Sequence, residues 1–240
     1  MRAAARPAAA AALLFLCGGL PAPALAQAYQ CRMPARVSVP TVTRDGPVRR
    51  VPVTGYTMAL SWSPEYCRAA GERGGATLQC GGRNGRFGLI LHGLWPEGRG
   101  GNYPQWCTSS PVPSPALVRR HLCMTPSARL LAHEWAKHGS CMARRPDTYF
   151  RVAAILWDSL AKPDLDQLSR RPELNAGAIR EAFVIANPGW RADAVGVHLN
   201  RRGWLDEIRL CYGRHFMPTR CDARRLGARD NASVRIWRGL

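Results

Sequence analysis

The sequence predicts a single α+β domain with a central, largely antiparallel sheet and helices packed on it. Three observations support this class. The chain of 240 residues has no internal repeat and no long polar linker, so it fits one domain. Short apolar or alternating runs typical of strands lie in its first and last parts. Segments of helical period are grouped between them, an order typical of the α+β class.

Taken in order, the patterns divide the chain into an arm, strands, loops and helices. A Pro- and Arg-rich arm precedes the first strand, and a glycine-rich loop and an aromatic-containing loop precede the helices. The helices have cap or proline signals near their ends. The expected arm covers 27–52, the strands 56–62, 87–91, 195–199 and 205–210, the loops 68–86 and 97–115, and the helices 125–138, 147–161 and 175–186.

The first 26 residues have the features of a removable signal peptide. Two arginines precede an apolar run over 8–20, and Ala24 and Ala26 fit the small-x-small cleavage rule. The run is too short to span a membrane, and no later stretch qualifies. We therefore expect a mature domain over 27–240, exported to the periplasm or secreted.

The cysteines agree with export. One of the nine, Cys17, lies in the leader, and an even number in an exported chain predicts four disulfides. No Cys-x-x-Cys occurs, which argues against a zinc ribbon or a thioredoxin-type site. The eight remaining cysteines are Cys31, Cys67, Cys80, Cys107, Cys123, Cys141, Cys211 and Cys221.

The charge is strongly basic, at a formal +18, and its excess is almost wholly arginine, since Lys137 and Lys162 are the only lysines. Arginine's planar fork suits phosphate, and so high a charge favours a polyanionic partner. A preference for arginine as a solubilising surface residue explains the same numbers equally well. The charge supports a nucleic-acid substrate without establishing one.

Residues 132–141 concentrate the chemistry. On a helix, Glu134 and His138 are four apart and share one face, and His133 and Lys137 share the adjacent face. A solvated, salt-linked helix end is the simpler reading of such a pattern. A further histidine, His92, in Leu91-His92-Gly93-Leu94-Trp95-Pro96 favours a catalytic reading, because we expect the strand over 87–91 to end at this residue and present it.

The segments His92-Gly93-Leu94-Trp95-Pro96 and His133-Glu134-Trp135-Ala136-Lys137-His138-Gly139-Ser140-Cys141 resemble the two signature segments of the ribonuclease T2 family. Trp62-Ser63-Pro64-Glu65-Tyr66-Cys67 is similar to that family's first strand and its following cysteine. The resemblance covers about residues 55 to 145. It implies an endoribonuclease acting on single-stranded RNA.

The chemistry that RNA cleavage requires fits these residues. The ribose 2′-hydroxyl is the nucleophile, so the enzyme supplies a base, an acid and positive charge, and two imidazoles and an ammonium suit these tasks. The resemblance implies His138 as base and His92 as acid in forming a 2′,3′-cyclic phosphate, with roles reversed in its hydrolysis. Glu134 is expected to orient His138, Lys137 to stabilise charge, and His133 to bind phosphate. No metal or cofactor is expected.

A first base site is implied at Trp95 and Tyr103, whose flat rings can stack on a base. A core role for Trp95 is equally open. Glu97 stands where the family commonly has aspartate, which leaves its hydrogen bond to a base in question. Trp135 is assigned to the core.

Disulfide connectivity is open on the residues alone, because eight cysteines allow about 105 pairings. The resemblance implies that Cys107 pairs with Cys141 and joins the two halves of the site. Two neighbouring pairs are short-range candidates, which leaves one long-range pair. These three are Cys67–Cys80, Cys211–Cys221 and Cys31–Cys123.

Two other functions compete with the ribonuclease. A zinc hydrolase is a poor fit, because the zinc-protease helix motif needs histidines four apart, whereas His133 and His138 are five apart and roughly 140° separated. A non-catalytic module that binds polyanions would keep the charge but need not keep both catalytic histidines, and both are present. We expect RNA as the partner, no membrane or obligate protein partner, and a monomer.

Overall fold

The computed structural model describes Met1 and residues 31–71, 77–108 and 111–239. Apart from Met1, the expected signal peptide and the first residues of the arm lie outside this part. No helix in the described part of the chain has the length and apolar character needed to cross a membrane.

A four-stranded antiparallel sheet forms the centre of the domain, in the order β2-β1-β4-β3. The strands predicted near both ends of the chain are confirmed. The second is longer than expected, because the backbone pairing continues through the His92 segment. The strands are β1 Gly55–Trp62, β2 Leu89–Glu97, β3 Val195–Leu199 and β4 Leu205–Gly213.

The two faces of the sheet differ as the alternation of side chains requires. Met58 and Leu60 on β1 and Ile208 on β4 are fully buried in the hydrophobic core. Their neighbours along each strand point to the other face, where the Ser61 hydroxyl on β1 donates to Glu207 on β4 at 3.5 Å. One face therefore anchors the core, and the other provides a polar floor.

Seven α-helices occur in the described residues, three of them where the sequence predicted helices. The first two of these cover the core face with Trp135 and Phe150, both almost fully buried. The helices are α1 Ser63–Ala70, α2 Pro115–His121, α3 Ala128–Lys137, α4 Pro146–Asp158, α5 Leu165–Leu168, α6 Ala176–Ala186 and α7 Ala223–Leu226. Short 3₁₀ turns occur at Arg99–Gly101, Gly139–Cys141 and Ala192–Ala194.

Several predicted boundaries were wrong for identifiable reasons. The helix expected over 125–138 begins at Ala128, where Ser127 is the cap, because the Thr125 hydroxyl donates instead to the Leu91 carbonyl on β2. Helix α1 was not predicted: Pro64 follows the first strand, and a proline is favoured in the first helical turn. Helix α2 begins in the same way at Pro115.

All four predicted disulfides are confirmed. Cys31–Cys123 ties the arm to the segment after α2, and Cys67–Cys80 closes the loop behind α1. Cys107–Cys141 joins the loop after β2 to the end of α3. Cys211–Cys221 closes the segment after β4.

Candidate active site

A β-bulge sets the orientation of His92. Strand β2 pairs Gly93 with Ala59 and Leu91 with Leu60, so the register shift leaves His92 unpaired between them. Bulges of this kind redirect a side chain and are frequent beside active sites. The expectation that His92 ends its strand was wrong: it lies inside β2, and the bulge rather than the strand end presents it.

A buried carboxylate holds one nitrogen of His92. The Nδ1–H donates to Glu207 Oε2 at 2.9 Å, and Arg209 Nε donates to the other carboxylate oxygen at 2.7 Å. Burial alone would lower the pKa of His92, but the Glu207 hydrogen bond and the charge of Glu134 outweigh it and raise this pKa. Burial opposes ionisation of Glu207, yet His92 and Arg209 lower its pKa to about 2. His92 is thus favoured as the cation, with Nε2 as its remaining proton donor.

Glu134 lies beneath the site and is 3% exposed. Its Oε2 accepts from Trp95 Nε1 at 2.7 Å, and its Oε1 lies 3.7 Å from His92 Nε2. Burial raises its pKa to about 7, against the opposing effect of His92 and Trp95. A side chain at Gly93 would overlap this carboxylate, so the glycine of the motif permits the close approach. The Glu134 side chain contacts Trp95 and His92, and its backbone carbonyl accepts from the His138 N–H at 3.0 Å.

His138 is the first residue after α3, and its ring lies between two aromatic side chains. The ring centroids are 5.6 Å from Trp95 and 6.1 Å from Tyr103. Its Nδ1 is buried and has no hydrogen-bond partner among the described residues. Burial, followed by the positive charges of Lys137 and His133, holds the pKa of His138 well below its usual value. This histidine is favoured as the neutral form, opposite to His92.

Lys137 and His133 converge on a carboxylate that the sequence reasoning missed. Lys137 Nζ donates to Asp45 Oδ2 at 2.8 Å, and His133 Nε2 lies 3.7 Å from the same oxygen. Burial lowers the pKa of His133, which Asp45 partly opposes. Nothing in the arm's composition pointed to Asp45, because its contacts are made only through the tertiary fold.

The residues expected at a base site lie beside the histidines. Trp95 is half-buried in the site rather than in the core, with the Arg209 guanidinium 5.3 Å from its ring centroid. Tyr103 has the Arg49 guanidinium 4.2 Å from its centroid. The carboxylate of Glu97 has intramolecular partners in the structure, accepting from Thr57 at 2.7 Å and from Arg224 at 3.5 Å.

One cavity of about 300 Å³ joins these groups. All the residues predicted for catalysis, phosphate binding and base binding line it, together with three arginines. Among these, Arg209 could have been found from the sequence, since it alternates with the apolar residues of β4. The same alternation applies to Glu207, which contacts His92. The lining residues are His92, Trp95, Glu97, Tyr103, His133, Glu134, Lys137, His138, Arg209, Arg224 and Arg225.

The remaining histidines have other environments. His121 stacks on Phe150 at 5.2 Å, His198 bonds the Arg225 carbonyl at 2.8 Å, and His215 is exposed. No cluster of side chains that could hold a metal ion occurs among the described residues.

Two imidazoles with opposite pKa shifts, set among cationic side chains, form a general acid–base site suited to an anionic substrate. Comparison with known proteins gives its class. A ribonuclease T2 family profile matches residues 54–168. A ribonuclease of Aeromonas hydrophila is 31% identical over 163 residues, covering 65% of this chain and 70% of that protein. The chain belongs to the ribonuclease T2 family.

Two further comparisons agree with this membership. A probable ribonuclease of Haemophilus influenzae is 30% identical over 186 residues, covering 73% of this chain and 63% of that protein's length. Trichomaglin, described as an S-like ribonuclease, has a solved structure with a TM-score of 0.59 at 19% identity, covering 77% of this chain and 98% of that one. The likeness to trichomaglin concerns the fold alone.

Proposed function

We propose that this protein is an exported endoribonuclease that cleaves single-stranded RNA by metal-independent transphosphorylation. The observation that carries the proposal is the pair of histidines on one cavity wall, with the pKa of His92 raised and that of His138 lowered. At neutral pH this pair offers one proton donor and one proton acceptor. Cyclising RNA cleavage needs that combination, because a proton leaves the nucleophile as another reaches the leaving oxygen.

In the first step, His138 removes the proton from the ribose 2′-hydroxyl, which attacks the adjacent phosphorus. His92 donates its Nε2 proton to the departing 5′-oxygen, while Glu207 holds its Nδ1. The products are a 2′,3′-cyclic phosphate and a free 5′-hydroxyl. In the second step, His92 accepts a proton from the attacking water, and His138 returns its proton to the 2′-oxygen.

The negative charge that develops on the phosphorane oxygens needs compensation. Lys137 and His133 line the same cavity as the two proton carriers. A preorganised ammonium and a preorganised imidazole N–H stabilise a transition state because they need no reorganisation as charge develops. Glu134 holds the Trp95 indole, whose ring lies within 6 Å of the rings of His92 and His138.

Base binding is assigned to Trp95 and Tyr103. Their half-buried rings flank His138, where a stacked base would set the 2′-hydroxyl beside the base catalyst. Glu97 completes this subsite as a hydrogen-bond acceptor, held by Thr57.

Histidine variants test the proposal. In the presence of EDTA, His92→Ala and His138→Ala should each lower the cleavage rate of single-stranded RNA by a factor on the order of 10²–10⁴. His215→Ala, which removes an exposed histidine outside the site, should leave the rate unchanged. Thermal unfolding of the three variants should show that each is folded.

Three outcomes would overturn the proposal. Full activity in either active-site variant would remove the histidine pair as the proton carriers, and a requirement for zinc would favour the zinc hydrolase. RNA binding without any cleavage by the unmodified protein would instead favour the non-catalytic module.

A further inference from the structure

We propose that Asp45, carried by the N-terminal arm, is a positioning residue that aims the side chains of Lys137 and His133 at the scissile phosphate. The proposal rests on the function proposed above and extends the site beyond the two signature segments. Asp45 lies in the arm, before the range that the family profile matches.

The contacts of Asp45 form a node of three side chains. Oδ2 accepts from Lys137 Nζ at 2.8 Å and lies 3.7 Å from His133 Nε2, and Oδ1 accepts from Trp106 Nε1 at 3.2 Å. A lysine ammonium at the end of four flexible methylenes loses much of its freedom when one of its donors is fixed. The two remaining donors are then free for a phosphate.

Trp106 shows that this node is built into the fold. Its backbone has φ +55°, a left-handed conformation that is strained for a bulky residue. In this conformation its backbone N–H donates to the Lys137 carbonyl at 2.8 Å, its indole N–H reaches Asp45, and its ring lies edge-to-face with His133 at 5.5 Å. Trp106 therefore contacts Asp45, Lys137 and His133 at once.

The arm is fixed on both sides of Asp45. Before it, Cys31–Cys123 ties the arm to the segment after α2. After it, Arg49 exchanges two backbone hydrogen bonds of 2.9 and 3.0 Å with Gln105, the residue before Trp106. The carboxylate is therefore held against α3 by the chain on either side.

The position of Asp45 relative to the cavity indicates whether its carboxylate supports phosphate binding or competes with the phosphate. Lys137 and His133 line the cavity, whereas Asp45 is not among the described residues that line it. The carboxylate thus contacts Lys137 and His133 without being part of the cavity wall. A carboxylate that mimicked phosphate would lie within the cavity.

Kinetics on a short single-stranded RNA test the inference. Asp45→Ala should lower kcat/KM by about ten- to a hundredfold, the range expected when a catalytic group is misplaced by about 1 Å. Asp45→Asn should lose less, because the amide oxygen still accepts from Lys137. Asp147→Asn is the matched control, since it removes an equally charged group from an exposed ion pair with Arg145.

A double-mutant cycle separates positioning from general stabilisation. In a Lys137→Ala background, Asp45→Ala should cause little further loss of kcat/KM, since the main partner of Asp45 is already gone. Thermal unfolding of Asp45→Asn should match the Asp147→Asn control. A purely structural role would instead leave the effect undiminished in that background.

Three results would overturn the inference: an Asp45→Ala rate equal to the control, a kcat/KM above that of the unmodified protein, or an effect that persists without Lys137. An increase would mean that Asp45 competes with phosphate. If the unmodified protein fails to cut RNA, the proposed function fails separately. Inorganic phosphate binding, followed by the NMR signal of His133, then decides the inference: weaker binding in Asp45→Ala supports it, and unchanged or tighter binding overturns it.

Discussion

His92 and His138 show how one side-chain type acquires two roles from its surroundings. Both rings are close to Trp95, but His92 has a buried carboxylate at Nδ1, whereas the Nδ1 of His138 faces none. The signature segments predicted both histidines from the sequence. They could not predict the contact of His92 with Glu207, because the two residues lie 115 positions apart and meet only when β4 pairs with β1.

The pH profile of cleavage should report these two environments. Activity needs His138 neutral, so it should rise with pH through a pKa below the usual 6.5; it needs His92 protonated, so it should fall through a raised pKa. Glu207→Gln removes the charge that favours protonated His92. The falling limb of the kcat/KM profile should therefore move to lower pH, with little change in the rising limb.

Glu181→Gln is a suitable control, because this glutamate is exposed on α6 and lies outside the site. Its profile should match that of the unmodified protein. An unchanged falling limb in Glu207→Gln would show that this carboxylate does not set the proton affinity of His92.

At the scale of elements, the site lies where the bulged strand β2 packs beside the end of α3. Both elements were predicted, since their apolar spacing is clear, but their junction was not. The bulge arises from the register between β1 and β2, and the last residue of α3, Lys137, accepts a hydrogen bond from the distant Trp106 backbone. Local patterns contain neither piece of information.

The Cys107–Cys141 disulfide should matter for both stability and activity. It follows Trp106 and closes a separation of 34 residues at the end of α3. Replacing both cysteines by serine should lower the free energy of unfolding by about 2–5 kcal/mol and reduce kcat/KM, because the end of α3 loses its anchor. Chemical denaturation and RNA kinetics measure the two effects.

The pair Cys67–Cys80 provides the comparison. It closes a separation of only 13 residues behind α1, away from the cavity. Replacing it should cost less stability and leave kcat/KM nearly unchanged under folding conditions. Equal loss of activity in the two double variants would contradict a local role for Cys107–Cys141.

The whole molecule combines a basic chain with a site that contains three arginines along its wall. Its class, α+β with a central group of helices, could be predicted from the order of patterns. The sheet order β2-β1-β4-β3 could not, because β1 pairs with one strand close in sequence and another nearly 150 residues away. The arginines from β4 and α7 reach the site only through that order.

Binding of RNA should depend steeply on salt if this charge contacts phosphate. Each neutralised phosphate releases counterions, so the apparent affinity for a non-cleavable single-stranded RNA should fall linearly on a log–log plot. Tyr103→Ala should weaken binding by about 1–3 kcal/mol through lost stacking and leave the slope unchanged. A flat slope would show that the charge serves solubility rather than RNA.

The identity of the cleavage product tests the central claim most directly. A short RNA with a single internal 2′-deoxy linkage should be digested in EDTA, and its fragments analysed by mass spectrometry at early times. We expect fragments ending in a 2′,3′-cyclic phosphate, with no cut at the deoxy position, because the nucleophile is missing there. Cleavage at that position, or early products lacking the cyclic phosphate, would contradict transphosphorylation by His92 and His138.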